Sequence, residues 1–266
     1  VKDAGNVVIA GYKVGGEVQT SIPEINAAAS ETGLVNAEPD KDGILRRIPL
    51  QDSFAAKIAH LAEVPIPFSK DLTINYAAKP YEFKTISFVD VYNGDFAEKL
   101  VKDKIVLIGP TDLKLQDVQF TPNSKKTPMP GVEIHANALQ TLLEGKILTD
   151  QRFKMFALTL LLLAVVAASA FVFLNIPLSI LALFILAAAY TFTAKFMFGR
   201  GMILNMLYPY AALLIVYVST IVYRYLTEFK EKRFIRGAFT HYLSPEVVKE
   251  LTNHPEKLKV GGEKKI

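Results

Sequence analysis

Residues 153–226 read FKMFALTLLLLAVVAASAFVFLNIPLSILALFILAAAYTFTAKFMFGRGMILNMLYPYAALLIVYVSTIVYRYL. These 74 residues hold no Asp or Glu and four basic residues, Lys154, Lys195, Arg200 and Arg224. A soluble surface is built from interspersed charges of both signs. A stretch of this length and composition reads instead as membrane-embedded.

Residues 155–194 carry no formal charge. As one helix they would run about 60 Å, roughly twice the hydrocarbon thickness, so the chain must turn back. Asn175-Ile176-Pro177 is the natural turn, because Pro removes a backbone donor and Asn tolerates turn geometry. Span one is therefore read over residues 153–174 and span two over 176–198. Gly199-Arg200-Gly201 makes a polar turn, and span three covers 203–226. Pro209 then falls inside span three, where a membrane helix tolerates it. Lys195, near a span end, is read as snorkelling toward the interface.

The block divides the charge of the chain. Residues 1–152 have 17 basic and 20 acidic residues, and residues 227–266 have nine and six. The sequence pI of about 9.0 thus reflects the membrane block and its flank, and no nucleic-acid partner is implied. The basic cluster Lys230, Lys232, Arg233 and Arg236 follows span three. Lys and Arg flanks mark the cytoplasmic side, so the C-terminus is expected inside and residues 1–152 outside. A membrane with no carboxylate and no central basic residue in its spans offers a poor transport path.

The chain has no cysteine, which excludes disulfides, thiol nucleophiles and thiolate metal sites. It opens at Val1 without a signal peptide or initiator Met, and is read as cut within a domain.

Residues 1–150 alternate strand-like and helix-like runs, the pattern of an α/β layer. Residues 6–10 (NVVIA) read as a buried strand. Residues 33–35 and 44–50 flank Asp42-Gly43, a hairpin signal. Residues 53–61 read as a helix capped by Ser53, residues 72–76 as a strand and 96–101 as a short helix. Residues 104–108 (KIVLI) read as a parallel strand buried on both faces. Residues 131–145 (GVEIHANALQTLLEG) read as a helix with Val132, Ala136, Leu139, Leu142 and Leu143 inward, closed by Gly145.

Candidate ligand-binding residues are Arg46, Asp112 and His135. Arg46 sits on a strand and could meet an anion, although a solvated or salt-bridged arginine is the plainer reading. Asp112 follows the end of the 104–108 run, where α/β sheets place ligands. His135 could line a cleft or hold an interdomain hydrogen bond. Asp40-Lys41-Asp42-Gly43 begins like a calcium loop, but positions six and twelve would be Leu45 and Gln51 instead of Gly and Glu. Glu133 and His135 are too close for the HExxH zinc pattern. No Walker loop, GxGxxG or nucleophile elbow is present, and no residue is assigned a catalytic or metal-binding role.

Residues 32–50 (TGLVNAEPDKDGILRRIPL), 103–111 (DKIVLIGPT) and 127–148 (TPMPGVEIHANALQTLLEGKIL) resemble the type-two CHASE domain. That family is a sensory domain found outside bacterial membranes and associated with cyclases and histidine kinases. The resemblance spans residues 1–150 and departs at Pro110, where the family commonly has a small residue. It implies a sensor that follows an N-terminal membrane helix and precedes three spans, and it names no ligand. Residues 234–265 (FIRGAFTHYLSPEVVKELTNHPEKLKVGGEKK) resemble the segment leading into class III nucleotide cyclase domains. Read alone, Ser244-Pro245-Glu246 is a capped helix start, and residues 226–239 read equally as an ordinary juxtamembrane helix or a coiled coil.

Together these resemblances imply a multi-pass receptor of the inner (plasma) membrane, surrounded by lipid, with a stimulus outside. They imply a homodimer and a cyclase using magnesium or manganese. The metal carboxylates and the other cyclase residues would lie past Ile266, so this chain by itself is expected to be inactive and to hold no cofactor. A histidine or Ser/Thr kinase output is the alternative, since this sensor type also occurs on kinases. A non-enzymatic binding protein is the third reading, disfavoured by the cyclase-like tail.

Overall fold

The computed structural model describes residues 5–239, with side chains through Lys230 and that of Arg233. The expected helix at Ser244 and the cyclase-like residues from 240 onward lie outside the described residues. The chain divides into two compact units. One comprises residues up to Asp150 together with Met197–Ile203, and the other comprises Gln151–Phe196 and the chain from Leu204.

In the first unit, β1 (Val8–Val14) and β2 (Glu17–Gln19) form an antiparallel hairpin. Gly15 and Gly16 turn it, both at positive φ (58° and 95°). Helix α1 (Pro23–Ala28) crosses over to β3 (Glu31–Leu34), which runs parallel to β1 with Ala10 opposite Gly33. β4 (Arg47–Pro49) pairs antiparallel with β5 (Asp71–Thr73), Ile48 opposite Leu72. Between them lies α2 (Phe54–Leu61), whose cap Ser53 accepts from Ala56 N at 3.1 Å. A short helix α3 (Phe88–Asn93) follows, then single 3-10 turns at Glu98–Leu100 and Leu113–Leu115. β6 (Val118–Gln119) and β7 (Met129–Pro130) pair antiparallel and lead into α4 (Gly131–Leu143).

The core lies where α2 meets α4. Ala55, Ala56 and Ala59 give α2 a shallow face, and Ile134, Ala138, Leu139 and Leu142 of α4 are buried in the same cluster. Leu45, Ile48, Leu50, Leu72, Ile74 and Met129 complete it. Small residues on one helix permit close approach of the other, so apolar area leaves water with few voids.

Several expectations are corrected. The first strand begins at Val8, runs to Val14 and is half-buried at its start and mostly exposed beyond. The Asp42-Gly43 turn forms, with Gly43 N donating to Asp40 O at 2.8 Å. Its flanks do not pair as a hairpin: β3 joins β1 and β4 joins β5. The turn signal fixes a local reversal and leaves the choice of strand partner to the rest of the fold. Residues 104–108 are not a strand. Ile105, Val106 and Ile108 are exposed, Ile108 at 78%, and Leu107 alone packs on the core. A β-prone run becomes a strand only with a neighbour to bond, and no strand is paired with it among the described residues. On α4, Leu143 is 42% exposed, and the buried arc includes polar residues absent from the expected face.

The second unit consists of α5 (Phe153–Phe173), α6 (Ile176–Gly199) and α7 (Leu207–Phe239). All three are long and apolar enough to cross a membrane. Asn175 caps α6 through Oδ1, 3.1 Å from Leu178 N, so the expected first turn is observed. The third helix starts four residues later than expected, because Asn205 Oδ1 caps Leu207 N at 3.1 Å and Tyr208 N at 3.4 Å. Pro209 therefore lies in the first turn, where a missing N–H removes no helical hydrogen bond. Helices α5 and α7 pack through Ala167, Phe171 and Leu213, with the Phe171 and Tyr217 rings edge-on at 5.3 Å.

The turn after α6 is held within the first unit. β8 (Thr149–Asp150) pairs in parallel with β9 (Met202–Ile203). Thr149 N donates to Gly201 O at 2.8 Å. Gly201 has φ +83°, and a Cβ there would sit 2.8 Å from Ile147 O.

Candidate functional site

Helix α4 carries a polar stripe at Glu133, Asn137 and Thr141. Spaced by four, the three share one helix face. All three are buried, Glu133 at 2% exposure and Asn137 at 0%. Buried polar groups need partners, and the backbone of residues 75–81 provides them. Asn75 N donates to Thr141 Oγ1 at 3.0 Å, Ala78 N to Asn137 Oδ1 at 3.1 Å, and Tyr81 N to Glu133 Oε2 at 2.8 Å. One helix face thus binds every third amide of a strap over residues 75–81 that ends in a turn closed by Glu82 N on Lys79 O at 3.1 Å.

The strap is laced from other directions too. Asn123 Nδ2 donates to Tyr76 O at 2.7 Å, Tyr76 OH donates to Leu45 O at 3.0 Å, and Tyr81 OH donates to Thr111 O at 3.3 Å. Burial pushes the Tyr76 phenol pKa well above its usual range. Tyr81 has φ +63°, a strained conformation for an aromatic residue, and its amide is the one that meets the carboxylate. On α4 itself, Asn137 Nδ2 donates to Glu133 O at 2.9 Å and Thr141 Oγ1 to Asn137 O at 2.8 Å.

Glu133 is the incomplete member. Its Oε1 is buried without a hydrogen-bond partner among the described residues. Burial raises its pKa above the usual carboxylate value, and the Tyr81 N–H offsets part of this.

The three candidates from the sequence occupy separate local roles. Arg46 donates to Asp40 Oδ2 at 2.8 Å and to both oxygens of Asp42 at 2.9 and 2.7 Å. Its guanidinium closes the 40–46 turn, the salt-bridged arrangement that was the plainer reading, and holds the Asp42 carboxyl down at about 2. Asp112 is exposed and caps the following 3-10 turn, accepting from Lys114 N at 2.9 Å. His135 is 8% exposed and sits edge-on to Phe54 at 5.8 Å. Burial lowers its pKa, opposed by the Asp117 charge and the Val35 backbone, and its Nδ1 is without a partner. Among the described residues, no three His, Asp or Glu side chains come together as a cation site.

The model of the CHASE2 domain matches residues 2–174. The chain belongs to the CHASE2 domain family. No curated protein and no solved structure gave a match. The CHASE2 match covers the whole strap and all of α4, and it continues through α5. The three strings that resembled the family from sequence fall inside it.

Within the CHASE2 domain, the strap-binding stripe is what sequence reading missed. The signal was present: positions 133, 137 and 141 repeat every four residues. The apolar positions of the same helix drew attention instead, because polar residues on a helix are expected to face water. Domain organisation and family together make this a CHASE2 sensor followed by three candidate membrane helices, the architecture of a membrane signalling receptor.

Proposed function

We propose that this chain is the sensing and membrane portion of a bacterial receptor whose output is a class III nucleotide cyclase. Residues 234–265 support the cyclase over a kinase through their likeness to the segment preceding cyclase domains. The observation that carries the receptor reading is the β8–β9 pair, with Thr149 opposite Met202. The sensor's last strand continues through residues 151–152 into α5. Its partner strand continues through 204–206 into α7, the helix that leads toward the output. A shift in the sensor therefore acts on two membrane helices at once, through the covalent link and through the strand pair.

With three spans, the CHASE2 domain and the C-terminal tail lie on opposite faces. The basic residues after α7 support a cytoplasmic tail at the inner membrane. Two copies together would carry the output, since class III active sites form between catalytic domains, with magnesium or manganese bound there. Arg46 and Asp112 are retained as stimulus contacts through the turns they sit on, whereas His135 is buried on α4. The coupling such a switch needs is on the order of 1–3 kcal/mol.

The test is the chain extended past Ile266, assayed with ATP and GTP in the presence of magnesium or manganese. Cyclic nucleotide is the expected product. A phosphorylated histidine in place of cyclic nucleotide would assign the kinase output instead.

A further inference from the structure

Glu133 differs from its neighbours on the α4 stripe. Asn137 uses its oxygen for Ala78 N and its nitrogen for Glu133 O, and Thr141 both accepts from Asn75 N and donates to Asn137 O. Glu133 has one donor, Tyr81 N, for two buried carboxylate oxygens. A buried ionised carboxylate is stable when several donors or a cation meet it. Among the described residues no cation does. On the strap, Lys79 is paired with Glu82 at 3.3 Å. On α2, Lys57 and His60 both contact Glu31. At the start of α4, Asp117 lies against Gly131, so closely that a Cβ there would collide with its carboxylate. Asp117 is of like charge to Glu133, and its field is felt at His135.

We propose that Glu133 is a proton-operated latch on the strap of residues 75–81, which makes this domain responsive to acidity on its own side of the membrane. Neutral Glu133 keeps an oxygen for the Tyr81 amide without burying a charge, and the strap is held firmly. Ionised Glu133 must draw water toward its unpartnered oxygen, and the strap is loosened at Tyr81, where the backbone is already strained (φ +63°). The first turn of α4 favours the anion through the helix dipole, but a single amide and a helix end do not replace the hydration that burial removes. The effect is confined to one end of the strap, because Asn137 and Thr141 do not titrate and still hold Ala78 and Asn75.

The direction follows from linkage. A carboxyl whose folded pKa is raised gives stability that is complete below the usual value of 4.5 and is lost as pH rises through the folded value. His135 acts in the opposite sense, with burial disfavouring its charged form at low pH. It is common to wild type and to Glu133→Gln, so their difference isolates Glu133. The latch rests on the receptor reading only for its signalling consequence, and the test below needs no output activity.

The experiment is amide hydrogen exchange of the full chain in detergent micelles between pH 4.5 and 8, for wild type and Glu133→Gln. Exchange at Tyr81 is normalised at each pH to the α2 amides. Glu133→Gln keeps a neutral acceptor and is expected to hold Tyr81 equally well at every pH. Wild type is expected to match it near pH 4.5 and to exchange several-fold faster at pH 8. Equal protection of the two proteins across the range would overturn the latch, as would wild-type protection that rises with pH. If Glu133→Gln does not fold, the wild-type ratio of Tyr81 to α2 exchange still decides: a rise with pH supports the latch and a flat ratio refutes it.

Discussion

Thr149 N donates to the Gly201 carbonyl at 2.8 Å, and this bond begins a parallel strand pair between the residues just before α5 and the turn that links α6 to α7. Gly201 sits there at φ +83° with no room for a side chain beside Ile147 O. Gly201→Val is expected to destabilise the protein by about 1–3 kcal/mol, the range for strain at a special backbone position. Thermal unfolding in detergent reads this, with Gly199→Ala as the control, since a Cβ at Gly199 meets nothing within 4 Å.

Asn137→Leu tests the strap. The residue is fully buried and accepts from Ala78 N. Its loss leaves a buried amide unpaired, which costs about 1–3 kcal/mol. Thr141→Val should act in the same direction at Asn75 N. Hydrogen exchange should show the loss of protection at Ala78 and Asn75, respectively, with the α5–α7 amides unchanged.

His135 makes the domain acid-sensitive. Burial depresses its folded pKa below 6.5. Its contribution is therefore complete above 6.5 and is lost as pH falls through the folded value. In a Glu133→Gln background, which removes the opposing carboxyl, thermal stability should decline on acidification from pH 7, and adding His135→Phe, which keeps an aromatic ring against Phe54, should flatten that decline.

Arg224 ties α7 to the C-terminal end of α5. Its guanidinium donates to Phe171 O, to Val172 O at 2.8 Å, and to Leu174 O. These are carbonyls at the C-terminus of α5, which have no helical partner, and a cation is favoured there by the helix dipole. Arg224→Leu is expected to lower stability by about 1 kcal/mol, with Arg224→Lys restoring part of it. The readout is the midpoint of thermal unfolding in detergent.

How much of this was legible in the sequence depended on whether the signal was local. The acid-free run over residues 153–226, the Ser53 cap and the helix expected over 131–145 are properties of short windows; three membrane-length helices and the cap are observed, and the last helix runs over Gly131–Leu143. Residues 104–108 look like a buried strand because composition reports a tendency to be covered. Whether a neighbouring strand exists to bond them is a non-local fact. The Asp42-Gly43 turn was readable for the same reason that its supposed strand pairing was not. Span three was placed too early because residues 202–203 are as apolar as the helix that follows, yet they pair with β8. Arg46 and Asp112 stood out as charged residues near turns, and local carboxylate and backbone partners absorb both. The Glu133–Asn137–Thr141 stripe needed the strap to give it meaning, and a strap has no periodicity of its own.

The turn between α6 and α7 is bound to the sensor through the β8–β9 pair. The chain has no cysteine, so a pair introduced at Asp150 and Ile203, opposite each other in β8 and β9, reports on this contact alone. Oxidation of Asp150→Cys/Ile203→Cys in native membranes should give near-complete intramolecular cross-linking, and an Asp150→Cys/Phe173→Cys pair should give none. Absence of the cross-link in a folded, membrane-inserted protein would contradict the account.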